Sequence, residues 1–271
     1  MSKIILFLLD RRHSVVEFPV RPETASATAK RIVYLLAFSS GSSEAKEYVC
    51  RGQVVSVGAG MRSRTVVTVN STGRQAASFV RVASAVGWQV RAQMRDRIGL
   101  VAAELESLPN VTLFVGDLED KNLINELFQG AEVAFINTTH WGDEVAIGKS
   151  LANAAKRVGI QHYIYSSLPD HSVFNPDWKG LPMWKTKYKI EQYVRSIGLP
   201  ATFIYTAIYH NNFTSLRYPL FEMQLQEDGS FEWEAPFDPD TKLPWLDAEH
   251  DVGPAVLQIF IEGPQKWVGQ T

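Results

Sequence analysis

Residues 65–77 constrain the fold of this chain most, because they join a strand pattern, a turn and a helix pattern in one short stretch. Residues 65–69 are rich in β-branched side chains, which is typical of a buried parallel strand. The strand pattern stops at Asn70 and Gly73, and apolar residues then recur at helical spacing. These apolar positions are Ala76, Phe79, Val82, Ala83 and Val86. The pattern predicts a strand, a turn and a helix with one face packed on a sheet.

The turn has the spacing Asn70-x-x-Gly73-x-x-Ala76, at the place where a dinucleotide-binding turn carries glycines. Gly73 allows the backbone to approach a pyrophosphate, and Ala76 is small enough for close helix-strand packing. The helix N-terminus adds free amides and the positive end of the helix dipole. Asn70 departs from the glycine pattern, but Asn enters left-handed conformations more easily than other non-glycine residues. An ordinary strand-to-helix turn is the alternative, and the order of elements downstream favours a nucleotide site.

Strand and helix patterns alternate regularly after this turn. Further strands are predicted at residues 88–94, 111–115, 133–136, 163–166 and 201–205, and helices at residues 98–108, 123–128 and 184–197. A longer helix has Asp143 and Glu144 in its first turn and stops at Gly159, as the helix dipole and helix termini prefer. With right-handed crossovers, this alternation predicts an α/β fold with a Rossmann-type doubly wound parallel sheet.

Three segments follow from this pattern. Residues 1–62 carry no fold-specific pattern, so we expect a leader or a poorly ordered extension. The apolar run at residues 4–9 ends too early for a membrane span or a typical signal peptide. Residues 63–210 are predicted to form the dinucleotide-binding Rossmann domain, and residues 211–271 a smaller acidic partner-binding subdomain. That subdomain includes a return helix near residues 251–261, with Asp251 as its N-cap.

Composition excludes several functional classes. The formal net charge of −2 excludes a strongly basic protein that binds nucleic acid directly. The single cysteine, Cys50, rules out an internal disulfide framework and fits a reducing intracellular compartment. Six scattered histidines do not form a metal site by spacing, so no metal ligand is assigned.

Candidate ligand-binding residues follow the predicted strands, because doubly wound sheets bind ligands beyond the carboxyl ends of their strands. They are Asn70, Thr72, Gly73, Arg74 and Gln75 after the first strand, Arg95 and Asp96 after the second, Gly116 and Asp117 after the third, Asn137, Thr138, Thr139 and His140 after the fourth, and Ser166 and Ser167 after the fifth. The alternative is that these are ordinary polar loops. An acid after the second strand binds a ribose 2′-hydroxyl and an arginine accommodates a 2′-phosphate, so adjacent Arg95 and Asp96 leave NAD and NADP both open.

The catalytic pattern of a short-chain dehydrogenase is incomplete. Such an enzyme has a tyrosine four residues before a lysine, with a serine on the neighbouring strand. Lys187 and Ser166 or Ser167 match two of these roles, but Met183 occupies the tyrosine position. A thioether has no proton to donate, so no catalytic residue is assigned. Lys187 could still act as a base if it is buried, which keeps a reductase hypothesis open.

The segment 221–251 has a different charge from the rest of the chain. It contains ten acidic residues and one basic residue, Lys242, with aromatic residues between them. A solvated loop is the simpler interpretation, but aromatic side chains beside charge favour a protein interface with a basic partner. Asp228-Gly229 also has the pattern of a hairpin turn.

From residue 65 onward the chain closely resembles the NmrA-like family of the atypical short-chain dehydrogenase superfamily. The motifs that carry the resemblance are Asn70-Ser-Thr-Gly-Arg-Gln-Ala-Ala77, Ala134-Phe-Ile-Asn-Thr-Thr139, Gly142-Asp-Glu144, Gln161-His-Tyr-Ile-Tyr-Ser-Ser167, Pro182-Met-Trp184, Asn211-Asn-Phe-Thr-Ser215, Phe231-Glu-Trp233, Ala235-Pro-Phe-Asp-Pro-Asp240 and Pro244-Trp-Leu-Asp-Ala-Glu-His-Asp-Val-Gly253. Met183 is part of the family pattern.

The resemblance implies a Rossmann-fold protein that binds NAD, with NADP also possible, and is not a dehydrogenase. It further implies a negative regulator of nitrogen metabolite repression that binds a GATA-type zinc-finger activator. We expect a monomer or weak homo-oligomer in the nucleus and cytoplasm that contacts neither nucleic acid directly nor a membrane. The alternatives are an NADPH-dependent reductase of the isoflavone-reductase type, with Lys187 as base, and a nucleotide-binding scaffold without a partner.

The resemblance also implies site residues. The nucleotide contacts correspond to Asn70, Thr72, Gly73, Arg74, Gln75, Arg95, Asn137, Thr138 and Thr139; Asp117 and Lys187 complete the predicted site. The predicted partner-binding residues are Glu232, Glu234, Asp238 and Asp240. Arg95 departs from the family, in which a histidine is typical. Relatives begin near the first strand and continue beyond Thr271, so we expect a C-terminally truncated second subdomain, from an imperfect gene model or a divergent paralogue with weakened partner binding.

Overall fold

The computed structural model describes residues 63–175, 177–206, 208–215, 221–234 and 244–271, together with three short strands upstream. The upstream strands are β1 (Leu36–Ala37), β2 (Glu47–Cys50) and β3 (Gln53–Ser56), and they form a small antiparallel sheet. The sequence predicted no element there. The remainder of the predicted leader, residues 1–62, lies outside the described residues.

A six-stranded parallel sheet forms the centre of the described chain. Its strands are β4 (Thr65–Thr68), β5 (Gln89–Met94), β6 (Val111–Val115), β7 (Val133–Ile136), β8 (His162–Ser167) and β9 (Ala201–Tyr205). Their spatial order is β6-β5-β4-β7-β8-β9, and every neighbouring pair is parallel. Successive strands are added first on one side of β4 and then, from β7 on, on the other side, so the strand order reverses between β4 and β7. Doubly wound sheets bind ligands at this point. The predicted Rossmann-type fold is confirmed.

Helices cover both faces of this sheet. The helices between residues 74 and 196 are α1 (Arg74–Ala85), α2 (Leu100–Ser107), α3 (Lys121–Phe128), α4 (Glu144–Val158), the short α5 (His171–Phe174) and α6 (Pro182–Ser196). The predicted ends of α4 are confirmed: the Asp143 carboxylate accepts a hydrogen bond from the Ala146 amide at 3.0 Å, and Gly159 has a left-handed φ of 77°. The sequence did not predict α5, which has only four residues.

Residues 206–248 form a second compact unit. Its described elements are β10 (Ile208–Tyr209), α7 (Asn212–Ser215), the hairpin of β11 (Met223–Leu225) and β12 (Phe231–Trp233), and β13 (Trp245–Leu246), which pairs with β10. The predicted turn is confirmed, since Gly229 has a φ of 83° and the Asp228 carboxylate accepts the Ser230 amide. Within this unit Phe213 packs edge-on against Trp233 at 5.3 Å between ring centroids.

The chain then returns to the first unit, which comprises the sheet, its helices and residues 249–271. The returning helices are α8 (Val252–Glu262) and α9 (Pro264–Trp267). Helix α8 packs on α1 so closely that the Gly253 amide donates to the Ser78 hydroxyl at 3.0 Å. The sequence placed residues 211–271 in one subdomain, whereas in the structure the apolar face of α8 is buried on α1. Asp251 occupies the predicted N-cap position but makes no side-chain cap hydrogen bond.

The core has one layer on each face of the sheet. Leu127 of α3, Leu151 of α4 and Ile190 of α6 are fully buried against one face. On the other face Phe79 of α1 lies edge-on to Phe135 of β7, with ring centroids 5.4 Å apart. Because both faces are covered, β7 at the centre of the sheet is a continuous apolar run, and all four of its residues are buried.

Candidate functional site

Asn70, in the turn after β4, is hydrogen-bonded to the loop after β7, at the point where the strand order reverses. Asn70 has a φ of 52°, in the left-handed region. Its side-chain amide donates to the carbonyl oxygen of Asn137, after β7, at 2.9 Å, and its backbone amide donates to Gln93 Oε1 at 2.9 Å. Asn thus supplies the conformation that glycine usually gives and also ties the ends of β4 and β7 together.

Gly73 gives the same turn a close backbone approach. Its amide donates to the Asn70 carbonyl oxygen at 2.8 Å, and a Cβ added at Gly73 would lie 3.1 Å from that oxygen. Helix α1 begins at Gly73 with no side-chain cap and no acidic residue in its first turn. Thr72 and Gly73 are both exposed. An uncapped helix start behind a glycine offers the backbone donors that a pyrophosphate requires. We call Asn70, Thr72, Gly73 and Asn137 the mouth.

Arg74 and Gln75 are placed differently from the mouth residues. Arg74 Nη1 lies 3.5 Å from Glu249 Oε1, just before α8. Gln75 is buried within α1. Both remain predicted contacts of a dinucleotide, but the Arg74 side chain has an ion pair with Glu249.

Gln93 is a site residue that the sequence prediction missed. It is fully buried on β5, accepts the Asn70 amide and donates from Nε2 to the Gly116 carbonyl oxygen at 2.8 Å. The Ser71 amide also donates to the Gln93 carbonyl oxygen at 2.8 Å. One side chain therefore connects the loops after β4 and β6. A glutamine inside an otherwise buried strand end was the signal that could have identified it.

Arg95 follows β5 and reaches toward the loop after β7. Its guanidinium carbon lies 4.7 Å from the centroid of the Trp141 ring, and His140 stacks on the same ring at 5.2 Å. Asp96 instead accepts the Ile98 amide at 2.9 Å. Trp141 is 56% exposed and was not singled out from the sequence.

Asp117, after β6, has a role in its own loop. It is exposed, and its carboxylate accepts the Glu119 amide at 2.8 Å. Gly142 in the loop after β7 has a φ of 67°, and a Cβ there would lie 2.5 Å from Glu119 Oε1. The loops after β6 and β7 therefore lie side by side, with Gly142 next to the Glu119 side chain.

Lys187 of α6 lies in a buried polar group that we call the lysine cluster: Lys187, Glu144, Thr138 and Tyr165. Its ammonium donates to the Thr138 carbonyl oxygen at 2.6 Å and pairs with Glu144 Oε1 at 3.1 Å. Thr138 Oγ1 and Asn137 Oδ1 lie at 3.3 and 3.5 Å. Burial lowers the pKa of Lys187, and the Glu144 carboxylate opposes that shift.

Tyr165 also belongs to the lysine cluster, and its hydroxyl proton takes part in a hydrogen bond inside the cluster. The Thr138 hydroxyl donates to Glu144 Oε1 at 2.7 Å, so the Tyr165 hydroxyl, 2.8 Å from Thr138 Oγ1, must donate to it. Tyr165 is fully buried, and burial raises its pKa well above the usual value. This tyrosine is placed to hold Thr138 rather than to protonate a ligand in the mouth.

The position of the dehydrogenase tyrosine is on the surface. Met183 lies in the first turn of α6 and is 55% exposed. Ser166 and Ser167 are buried, and the Ser167 hydroxyl donates to the Lys187 carbonyl oxygen at 3.4 Å. Thr139 is half-buried after Thr138.

Two of the four predicted partner-binding residues can be located. Glu232 and Glu234 are exposed on and just after β12, and Glu232 accepts a hydrogen bond from Gln226 across the hairpin at 2.8 Å. Asp238 and Asp240 lie outside the described residues.

Metal and membrane features were searched in the same part of the chain. Among the described residues, no group of three or more His, Cys, Asp or Glu side chains could hold a metal ion. None of the described helices is long and apolar enough to cross a membrane.

A family model described as the NmrA-like family matches residues 62–271, which includes the mouth and the lysine cluster. The chain belongs to the NmrA-like family. It is 64% identical over 211 residues to the nitrogen metabolite repression protein nmrA of Emericella nidulans, covering 77% of this chain and 60% of that protein. It is 54% identical over 233 residues to the Neurospora crassa protein nmr, covering 76% and 48%. The chain thus spans about half to three-fifths of the length of these NmrA-like relatives.

Solved structures within the family agree with the fold. NmrA, described as a negative transcriptional regulator, has been crystallised with NADP; the match has 62% identity and a TM-score of 0.74, and covers 78% of this chain and 65% of that one. A complex of NmrA with NAD matches with the same TM-score, identity and coverage. A more distant NmrA-like protein of an Aspergillus species, 28% identical over 222 residues and covering 73% of this chain and 64% of its own, is named an oxidoreductase.

Proposed function

We propose that this chain is a non-enzymatic, NAD(P)-binding negative regulator of transcription in nitrogen metabolite repression, and that its partner is a GATA-type zinc-finger activator. The observation that carries the proposal is an uncapped helix start at Gly73 combined with an exposed Met183 at the proton donor's position. Binding without a proton donor suits a dinucleotide that acts as a signal. The high identity to a nitrogen metabolite repression protein supports the same function.

The dinucleotide is NAD or NADP, as in the two crystallised NmrA complexes. The Thr72 amide and the amides in the first turn of α1 would bind the pyrophosphate, and Gly73 would leave room for it to approach the backbone. Arg95 would lie at the ribose of the adenosine half, and Asn137, Thr138 and Thr139 would line the nicotinamide half. Bound dinucleotide would supply a hydride acceptor or donor, while Lys187 and Tyr165 hold Thr138, just after β7, in place.

The hairpin of the second unit has the chemistry of a surface for a basic partner. Residues 221–234 contain five acidic residues and no lysine or arginine. Met223, Leu225 and Phe231 are exposed among those acids. Exposed apolar side chains next to unbalanced negative charge favour an interface with a cationic protein surface, such as a zinc-finger region.

Titration of a GATA zinc-finger fragment tests the partner. We expect a complex that weakens with salt and is lost when Glu232 and Glu234 are both changed to lysine. Glu126→Lys on α3 of the first unit, with half that charge change, is the control for each single variant, Glu232→Lys and Glu234→Lys, because it lies far along the chain from the hairpin. Absence of a complex at low salt, with or without NAD, would contradict the partner assignment.

The reductase hypothesis keeps one supporting observation, since burial lowers the pKa of Lys187 as a lysine base requires. Its three protons, however, face four acceptors within 3.5 Å. Oxidation of NADPH by purified protein with a panel of carbonyl and enone substrates tests it. Turnover that disappears in Lys187→Ala would establish the reductase and displace the regulator; a panel with no turnover would remove it.

We further infer that the protein acts in the nucleus and cytoplasm as a monomer or weak homo-oligomer. A repressor that captures a transcription activator must meet it in one of those compartments. Fluorescence microscopy of the tagged full chain and sedimentation at several concentrations test the two inferences. Exclusive localisation to an organelle, or a tight oligomer at nanomolar concentration, would contradict them.

A further inference from the structure

Three consecutive charged residues follow β5, and the structure separates their roles. The Asp96 carboxylate accepts the Ile98 amide at 2.9 Å and so closes its own turn. Arg97 Nη1 pairs with Glu106 Oε1 on α2 at 2.7 Å. Arg95 makes neither kind of contact: within the described residues no carboxylate forms an ion pair with it. The acid that would select an unphosphorylated ribose is thus engaged in its own turn, and the arginine remains.

Arg95 is held across the mouth by an aromatic ring. β4 lies between β5 and β7, so the contact of Arg95 with Trp141 spans the loop that carries Thr72 and Gly73. A guanidinium that lies over an indole face keeps its in-plane N–H donors directed outward, where they can bind an oxyanion in bidentate geometry. Stacking therefore fixes the position of Arg95 without using its hydrogen-bond donors.

The loop that carries Trp141 is itself fixed. His140 stacks on Trp141 with an interplanar angle of 22°. Gly142 has a φ of 67°, which favours glycine, and lies beside the Glu119 carboxylate. Asp143 then caps α4. With an aromatic stack before it and a glycine contact and a helix cap after it, the indole is placed before any ligand arrives.

We propose that Arg95, supported by Trp141, binds the 2′-phosphate of NADP and makes this chain select the phosphorylated dinucleotide over NAD. The proposal rests on the dinucleotide site of the proposed function. A charge-assisted bidentate contact to a phosphate corresponds to a preference of about tenfold to a hundredfold. Trp141 is a positioning residue in this scheme, because it acts on the phosphate only through Arg95.

Calorimetric titration of the full chain with NADP, NAD, 2′,5′-ADP and 5′-AMP tests the assignment. We expect tighter binding of NADP than NAD, and of 2′,5′-ADP than 5′-AMP, by about tenfold or more. Arg95→Ala should abolish both preferences and leave NAD affinity within about threefold. Arg97→Ala is the matched control, because it removes the same charge two residues away and should leave both preferences intact.

Two further variants test the support from the indole. Trp141→Ala should reduce the preference for NADP with little change in NAD affinity, and Trp141→Phe, which keeps an aromatic face, should restore most of it. Equal affinity for NAD and NADP in the wild-type chain, or equal loss of both in Arg95→Ala, would overturn the 2′-phosphate site alone. Failure of both dinucleotides to bind would overturn the dinucleotide site and, with it, this proposal.

Discussion

The mouth and the lysine cluster are adjacent at the ends of β4, β7 and β8, yet they differ in almost every physical property. The mouth is partly exposed and offers backbone donors at an uncapped helix start. The lysine cluster is buried, and its Lys187, Thr138 and Tyr165 protons are directed to acceptors inside the protein. In a dehydrogenase the two regions act on the same ligand. Here one has the features of a binding site and the other those of an internal support.

The largest expected effect comes from breaking the buried ion pair of the lysine cluster. Glu144→Ala leaves the Lys187 ammonium, 15% exposed, with neutral acceptors only. We expect the free energy of unfolding to fall by about 3 kcal/mol, measured by urea denaturation. The double variant Glu144→Leu with Lys187→Met should regain most of that loss. If Glu144→Ala changes stability by less than about 0.5 kcal/mol, Lys187 is accessible to water and its candidacy as a base returns.

A change confined to the mouth should affect binding more than stability. Gly73→Val places methyl groups beside the Asn70 carbonyl oxygen, where even a Cβ would lie at 3.1 Å, and in the path of a pyrophosphate. We expect dinucleotide affinity to fall by about tenfold or more by calorimetry, since the phosphate must move away from the α1 amides. Unfolding curves of the same variant provide the control. Unchanged affinity would show that the ligand does not use this turn.

Asn70 contributes to stability in two ways, through its left-handed backbone conformation and through its side-chain hydrogen bond. Asn70→Ala loses both the bond to the Asn137 carbonyl oxygen and the tolerance for a φ of 52°, so it should lower the free energy of unfolding by about 2 kcal/mol. Asn70→Gly keeps the conformation and should cost about 1 kcal/mol. Denaturant titration of the pair measures the difference. Equal losses would mean that the left-handed backbone contributes nothing at this turn.

The pH dependence of folding must be known before binding at either region is compared across pH. Burial, with a smaller contribution from Arg64, lowers the pKa of His162 to about 4. The unfolded chain has the ordinary value of about 6.5, so between these values the unfolded state binds more protons and stability falls as pH falls. We expect a loss of about 1 kcal/mol between pH 7 and pH 5.5. His162→Gln, which can still bond to Thr202, should lose this contribution; an unchanged pH slope would contradict it.

The smallest effect concerns Arg74, beside the mouth. Its ion pair with Glu249 is partly exposed at 3.5 Å, so Arg74→Ala should change stability by no more than about 0.5 kcal/mol. Dinucleotide affinity of the same variant decides whether Arg74 belongs to the mouth. A fall in dinucleotide affinity of more than about fivefold would show that the Arg74 side chain contacts the ligand. In that case Glu249→Ala should raise the affinity, because it releases Arg74 from its ion pair.

The elements that the sequence predicted are those whose signals are local. Gly73, Asp143 and Gly159 each act within one turn of the chain, so their residue types alone located a turn and two helix ends. Strand β7 was predicted because a strand buried on both faces reads as a short apolar run. Binding by the predicted site residues is untested, although Asn70, Gly73 and Asn137 do lie together at the reversal of the sheet.

What the sequence could not show depends on residues that are far apart in the chain. Arg95 meets Trp141, and Lys187 meets Glu144, only because the strand order brings their loops together. The return of α8 to α1 likewise depends on a tertiary contact, Gly253 against Ser78, which no helical periodicity encodes. Helix α5 was missed because four residues are too few for a periodic signal.

The two hydrogen bonds of the Gln93 side chain make this residue unsuitable for changing the ligand preference of the protein. Its side-chain amide is hydrogen-bonded to the loops after both β4 and β6, so replacing it would loosen both loops together. The preference between NAD and NADP would then change because the loops move, and not because a contact with the ligand was altered. Affinities alone would not distinguish these two causes. Substitutions at Arg95 or Trp141 leave the two hydrogen bonds of Gln93 intact.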